Sequence, residues 1–292
     1  MKRVLITGST GQIGQRISSE LTKRGFDVVG ISSRQLPVKA KVIKSHIPFD
    51  ILSGNLEELM KNLRPELLIH LAWDTRPNIF WSSSSNRLWT QKSMDLIKFF
   101  WKWGGEKVVV AGSCAEYDWR LKIPLSESSP EFPGTVYGQA KLDLLNFLRA
   151  QNMPYLWTRT FFQFGSQELH GRFIPSLIDS LWKREEFLIN RPEDIRDFIF
   201  VDDVVQIMTL LIISGKSGIF NVGSGQGVKV GDLAWLIASM MDQRELLVYQ
   251  HQIEEISVVW ANISKIADIL DSFTITSLDE ALNITIEERC LS

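Results

Sequence analysis

The chain has 292 residues, 45% of them hydrophobic and 23% charged, the balance of an ordinary globular protein able to bury a large core. Its formal net charge of −2 provides no global basic field, so neither a nucleic acid nor a membrane is expected as a partner. An anionic ligand would have to be held by a local cluster of Arg and Lys.

The two cysteines, Cys114 and Cys290, are too few for a disulfide framework and too far apart for a metal motif. No metal is expected, and a reducing, cytoplasmic setting is. No apolar run reaches the roughly 18 residues that span a bilayer. Residues 1–6 run straight into a strand, without the apolar region of a secretory leader.

In chain order, residues 4–6, 27–31, 67–71, 107–111 and 155–158 read as buried strands. Between them, residues 12–24, 56–63, 86–103 and 137–151 have helical spacing or length. This alternation predicts an α/β fold: a Rossmann-type doubly wound parallel sheet covered by helices on both faces. After residue 160 the pattern turns irregular, with helices expected over 174–183, 203–214 and 230–241.

The strongest local signal is Thr7-Gly8-Ser9-Thr10-Gly11-Gln12-Ile13-Gly14, between the first strand and the first helix. Gly8 permits the tight turn, Gly11 lets the backbone approach a pyrophosphate, and Gly14 lets the helix sit close on the sheet. The helix N-terminus adds free N–H groups and a positive dipole end. Gly8, Thr10, Gly11, Gln12, Ile13 and Gly14 are therefore expected to hold a dinucleotide. The second strand ends in Gly30-Ile31-Ser32-Ser33-Arg34, without the acid that usually holds a ribose 2′-hydroxyl. Ser32, Ser33 and Arg34 offer hydrogen bonds to a 2′-phosphate instead, and NADP(H) is favoured over NAD(H). Residues 1–160 are read as the NADP(H)-binding Rossmann domain and 161–292 as mainly a substrate-binding region. Residues near 196–222 are expected to return to the sheet. No Pro- or Gly-rich linker separates the two, so they are expected to pack as one body.

Tyr137-Gly138-Gln139-Ala140-Lys141 places a Lys beside a Tyr on one helical face. The ammonium is expected to favour the phenolate, bring Tyr137 toward the working pH range, and help hold the cofactor ribose. The strand Val108-Val109-Val110-Ala111-Gly112-Ser113 ends on a hydroxyl, and ligands of doubly wound sheets gather at strand carboxyl ends. Ser113 is thus placed to hydrogen-bond a substrate oxygen.

The glycine loop, Ser113 four residues before Tyr117, and the Tyr137–Lys141 pair, in this order, resemble the extended short-chain dehydrogenase/reductase family of the NAD-dependent epimerase/dehydratase type. Ile69-His70-Leu71-Ala72 is similar to its strand-end motif, which adds Leu71 and Ala72 to the cofactor residues. Arg196-Asp197-Phe198 and Asn221-Val222-Gly223-Ser224-Gly225 resemble two later motifs, and the likeness extends over residues 2–288. It implies Ser113, Tyr137 and Lys141 as catalytic residues.

Cys114 and Ala115 stand where sugar 4,6-dehydratases carry an Asp-Glu pair, which disfavours dehydration. Ala115 and Gln167 stand where GDP-fucose-forming epimerase/reductases use Cys and His, and Cys114, offset by one, is read as a packing residue. Phe162 replaces the substrate-contacting Asn of UDP-sugar 4-epimerases. The segments around Arg172 and from Asp194 to Val204 resemble nucleotide-sugar 4-ketoreductases such as CDP-abequose synthase. The Ser113 and Tyr137 segments resemble those of dTDP-4-keto-6-deoxyhexose reductases.

The implied activity is NADPH-dependent reduction of the 4-keto group of a nucleotide-activated 4-keto-6-deoxyhexose. The implied substrate is a nucleotide-diphosphate sugar, with Arg172 and Arg196 on its diphosphate. Trp73 and Trp119 follow strand ends and either wall the sugar or base or pack as core or lid. Lys183 and Arg184 read as a solvated helix end, and Asp197 and Asp202 as orienting Arg196 and the following helix. The apolar surplus of residues 86–103 points to a homodimer through this helix and the one bearing Tyr137. A 4-epimerase using the same three residues is the alternative reading, and a non-catalytic NADP(H)-sensing regulator the alternative of another class.

Overall fold

The structure is a computed structural model that describes residues 2–34, 45–251, 254–267, 271 and 273–291. Its first half comprises β1 (Arg3–Thr7), α1 (Gln12–Lys23), β2 (Asp27–Ser32), β3 (Ser45–Pro48), α2 (Leu56–Leu63), β4 (Leu67–His70), α3 (Ser85–Lys102), β5 (Lys107–Ser113), α4 (Val136–Arg149) and β6 (Tyr155–Thr160). Then follow β7 (Phe162–Phe164), α5 (Phe173–Trp182), β8 (Phe187–Ile189), β9 (Ile195–Arg196), β10 (Phe198–Phe200), α6 (Val201–Ile213) and β11 (Gly218–Val222). The chain ends with β12 (Val228–Lys229), α7 (Val230–Met240), β13 (Leu247–Tyr249), β14 (Val258–Val259) and α8 (Leu278–Cys290).

Seven strands form one sheet in the order β11-β6-β5-β4-β1-β2-β3, every neighbouring pair parallel. The chain runs outward from β1 to β3, returns to β4, and then runs the other way. The reversal between β1 and β4 opens a crevice at their carboxyl ends. The sheet is the Rossmann-type α/β architecture expected.

Alternation along β1 builds both layers. Val4 and Ile6 point to one face, with Ile17 and Leu21 of α1 and Val204, Met208 and Leu211 of α6. Leu5 points to the other, with Met60 of α2, Ile97 and Phe100 of α3, and Leu144 and Leu148 of α4. Burial on both faces explains why these strands are continuous apolar runs. A third core, from Ile174 and Leu177 of α5, Leu233 and Ile237 of α7 and Leu282 of α8, underlies the region beyond the sheet.

β11 joins the sheet beside β6, whereas β9 and β10 pair in two small satellite sheets with β7, β12 and β14. The surplus apolar residues of α3 are partly used inside the chain. Trp101 stacks on Phe147 of α4 at 6.1 Å, and Trp103 lies beneath Lys61, Arg64 and Lys102. Among the described residues, no helix is long and apolar enough to cross a membrane.

Candidate active site

The glycine loop leaves β1 into the crevice. Gly8 has φ +68°, and a Cβ there would lie 2.9 Å from Ala72 N. A Cβ on Gly14 would strike the Gly8 carbonyl and come 2.8 Å from Ser9 Cα. The N-cap of α1 is Gly11, with no side-chain cap and no acid in the first turn, so the first-turn N–H groups and the positive helix end remain for an anion.

Behind the loop, Thr7 Oγ1 accepts from the backbone N–H of Leu71 and of Ala72, each at 3.1 Å. Its own proton then goes to His70 Nδ1 at 2.8 Å, so the imidazole N–H is on Nε2 and points to Ser93 Oγ at 2.8 Å. Burial pushes His70 down to about 3, so it stays neutral and holds Leu71 and Ala72 against the loop.

At the end of β2, Ser32 is buried, and its hydroxyl meets the Arg34 carbonyl at 2.6 Å and His46 Nε2 at 3.0 Å. Ser33 and Arg34 are exposed. Three buried side-chain atoms on this side of the sheet, Gln12 Nε2, Thr160 Oγ1 and Gln163 Oε1, have no hydrogen-bond partner among the described residues. A cradle that a Cβ would fill, an uncapped helix start and unsatisfied polar atoms together fit a dinucleotide.

The catalytic candidates meet at the end of β5. Ser113 caps a short 3₁₀ turn: its Oγ accepts from Ala115 N at 3.2 Å, and its own N–H goes to the Glu116 carboxylate at 2.7 Å. Thr135 caps α4 through Gly138 N at 3.0 Å, which places Tyr137 in the first helical turn. The Tyr137 phenol is buried, and Ser113 acts against that burial by favouring the phenolate. The rings of Phe80, Trp81 and Trp73 meet it edge-on at 5.0, 5.6 and 6.2 Å.

Lys141 is also buried. Its Nζ donates to the Ala111 carbonyl at 2.9 Å and lies 3.9 Å from the Trp73 ring centroid, against 5.8 Å for the Tyr137 ring. The expected pull of Lys141 on the phenol is therefore not what the structure shows. The ammonium is directed to a carbonyl and an indole, and burial pushes Tyr137 above its ordinary range. Burial also pushes Lys141 down to about 7, with Glu116 acting in the opposite direction.

Cys114 is buried and burial pushes its thiol up, in keeping with a packing residue. Trp73 is anchored to Asn86 Oδ1 at 2.8 Å and stacks on Trp89 at 6.0 Å, so it packs beneath Lys141. Trp119 donates to the Cys114 carbonyl at 2.8 Å and meets Trp81 edge-on at 6.0 Å.

Arg172 lies 4.4 Å over the Phe80 ring and donates to the Thr75 carbonyl at 3.0 Å. It lines a cleft of about 450 Å³ together with Asn78, Phe173, Phe187, Asn190 and Arg191. Arg196 is not in that lining. It is held by Asp194 at 2.9 Å and by the Ser257 carbonyl at 2.8 Å, near the rings of Trp119 and Phe162.

Asp197, expected to orient Arg196, instead accepts from Ser224, Gly225 and Ala261 at 2.7–3.0 Å. Neighbours on an extended backbone point to opposite sides, so the orienting acid is Asp194, two residues away. Asp202 pairs with Arg16 of α1 at 2.6 Å. Lys183 and Arg184 are exposed at the end of α5. Phe80, Trp81, His46 and Glu116 complete the surroundings of the site and carry no periodicity or motif that singles them out.

Residues 4–223 match the family described as NAD dependent epimerase/dehydratase family. The chain belongs to this family. It is thus an NAD(P)-dependent enzyme of the extended short-chain dehydrogenase/reductase type. The chain is 29% identical over 242 residues to dTDP-6-deoxy-L-talose 4-dehydrogenase (NAD(+)) of Aggregatibacter actinomycetemcomitans, covering 76% of this chain and 84% of the relative. It is 23% identical over 286 residues to dTDP-4-dehydro-6-deoxyglucose reductase of Escherichia coli, covering 86% and 85%. The solved structure of MoeE5 with UDP-glucose and NAD superposes with a TM-score of 0.83 at 28% identity, covering 99% of this chain and all of that one.

Proposed function

We propose that this enzyme reduces the 4-keto group of a nucleotide-diphosphate-linked 4-keto-6-deoxyhexose with NADPH. The observation that carries this reading is the buried Ser113–Tyr137 hydroxyl pair, flanked by Cys114 and Ala115 where a dehydration would need acids. Two relatives act, by their names, on dTDP-linked 6-deoxyhexoses at C4, which favours the same substrate class here.

A reduced nicotinamide dinucleotide, held by the residue 8–14 loop with Leu71 and Ala72, would supply the hydride. The chain's own residues handle the proton. Ser113 Oγ already accepts from a backbone N–H, so its proton is free to go to the carbonyl oxygen as negative charge develops there. Tyr137, pushed up by burial, stays protonated at working pH and gives its proton to that oxygen. Lys141, one helical turn on, is placed to hold the cofactor ribose behind Tyr137.

A pH dependence follows. Lys141 is cationic below about 7 and loses its charge above it, while Tyr137 has no titration in that range. In the reducing direction kcat/KM is expected to be flat at lower pH and to fall as pH rises through about 7. A rate that is constant from about pH 6 to about pH 9 would contradict the role of Lys141.

Ser33 and Arg34 support NADP(H) over NAD(H): they are exposed at the end of β2, where no acid stands. Arg34→Ala is expected to lower the preference for NADPH over NADH by about 10- to 100-fold, the value of a charge-assisted hydrogen bond. The ratio of kcat/KM for the two cofactors measures it. The cleft lined by Arg172, Arg191 and Asn190 suits the nucleotide, with Arg172 and Arg196 toward its diphosphate.

Leu88 on α3 and Val136 on α4 are exposed on adjacent helices, which supports a homodimer through this face. Light scattering is expected to give twice the chain mass; a monomer at micromolar concentration would refute the dimer. The Ser113–Tyr137–Lys141 set would equally serve a 4-epimerase. The dinucleotide released on denaturing the purified protein separates the two: tightly held NAD favours epimerisation, and empty or exchangeable NADPH favours reduction.

A further inference from the structure

The catalytic end of β5 rests on a buried ion pair that the chemistry above does not use. Glu116 is fully buried, and its carboxylate receives Ser113 N–H at 2.7 Å, the Trp157 indole N–H at 3.0 Å and Arg159 Nε–H at 2.7 Å. Arg159, equally buried on β6, reaches on to Glu131 and lies 4.3 Å from the Tyr117 ring. Every contact on the carboxylate comes from an N–H donor. A protonated carboxyl would aim its hydrogen at one of them, so the hydrogen bonding selects the anion. Burial acts against that anion and raises its pKa, and Arg159 opposes the rise in part. Taking two ions out of water costs several kcal/mol each, and a packed apolar pair would support the fold as well. The pair therefore calls for a role beyond stability.

Two consequences lie within one strand end. The first is geometric. With its N–H on Glu116 and its Oγ accepting from Ala115 N, Ser113 is fixed at both ends, which leaves its hydroxyl proton for the substrate oxygen. The second is electrostatic. Lys141 is buried against the Ala111 carbonyl and the Trp73 ring, neither of which is an anion. Among the groups around it, His70 and Tyr137 are neutral, and burial keeps Cys114 and Tyr117 protonated beside Glu116. Glu116 is the anion at the same strand end: a Cβ on Gly112 would lie 2.7 Å from its Oε1, and Lys141 Nζ sits on the carbonyl of the preceding residue, Ala111.

We propose that Glu116 is a positioning residue for the reaction: it clamps Ser113 in its donating orientation and supplies the buried negative charge that keeps Lys141 an ammonium behind Tyr137. The inference rests on the roles given above to Ser113, Tyr137 and Lys141. It adds an electrostatic counterpart at the end of β5, so that the charge of Lys141 depends on a residue outside the reacting set.

The test uses the full-length protein with NADPH bound and ¹³C at the lysine Cε, Lys141 being identified by its loss in Lys141→Arg. In Glu116→Gln the titration midpoint of Lys141 is expected to fall by about one pH unit. Glu116→Asp, which keeps the charge, is expected to restore it. The basic limb of kcat/KM for reduction of dTDP-4-keto-6-deoxyglucose should move down with the midpoint. An unchanged midpoint in folded Glu116→Gln overturns the proposal.

Should Glu116→Gln fail to fold, Lys141→Met in glutamate-labelled protein tests the same coupling from the other side. Loss of the cation is expected to move the Glu116 carboxyl midpoint upward, and an unmoved carboxyl overturns the proposal. Neither titration needs a sugar, so a wrong substrate assignment would show as absent turnover while the lysine shift persisted.

Discussion

Tyr137→Phe is expected to lower turnover by about 10²- to 10⁴-fold, the usual contribution of a positioned proton donor. The substitution removes one oxygen and leaves the ring in its cage of Phe80, Trp81 and Trp73. Folding should therefore suffer little. NADPH affinity should stay close to wild type. The measurement is kcat at saturating substrate beside a thermal melt, and near-full turnover would remove Tyr137 from the chemistry.

Gly14→Val is expected to abolish dinucleotide binding. A Cβ at this position would strike the Gly8 carbonyl and press on Ser9 Cα at 2.8 Å. Both contacts are backbone, so no flexible side chain can give way. Either α1 lifts from the sheet or the loop opens, and both dismantle the cradle. Overpacking of this sort costs about 1–3 kcal/mol of stability. The larger effect should be on NADPH titrated by fluorescence, with affinity lowered by at least about 100-fold, since the loop N–H groups and the helix end act together on the pyrophosphate. Wild-type affinity in folded Gly14→Val would mean that the dinucleotide lies elsewhere.

The parallel sheet was legible because its strands are buried on both faces: Val4, Leu5 and Ile6 form one apolar run. β3 was not legible. Ser45-His46-Ile47-Pro48 is an edge strand, half-exposed and ending in proline, with no apolar period to read. The two- and three-residue strands beyond the sheet are too short to leave a pattern. In α8 the buried residues Ala281, Leu282 and Thr285 are few and mixed with polar neighbours, so that helix was missed as well.

At the site, the glycine loop and the Tyr–Lys pair were legible because their spacing is local. Phe80 and Trp81 were not, because the irregular segment after β4 brings them onto Tyr137. Glu116 lay in plain view, yet its partners Trp157 and Arg159 stand on a strand about forty residues later in the chain. The direction of the Tyr137 shift was misread for a similar reason. Helical spacing puts Lys141 beside Tyr137, but the Ala111 carbonyl and the Trp73 ring, which take its charge, come from two other parts of the sheet edge.

The central claim is ketone reduction on a nucleotide sugar. It is tested most directly by following NADPH oxidation with dTDP-, CDP-, GDP- and UDP-linked 4-keto-6-deoxyhexoses. The account predicts turnover with at least one of them, one NADPH consumed for each C4 hydroxyl formed. No NADPH consumption with any of the four, together with interconversion of 4-epimers by protein that retains bound NAD, would contradict it.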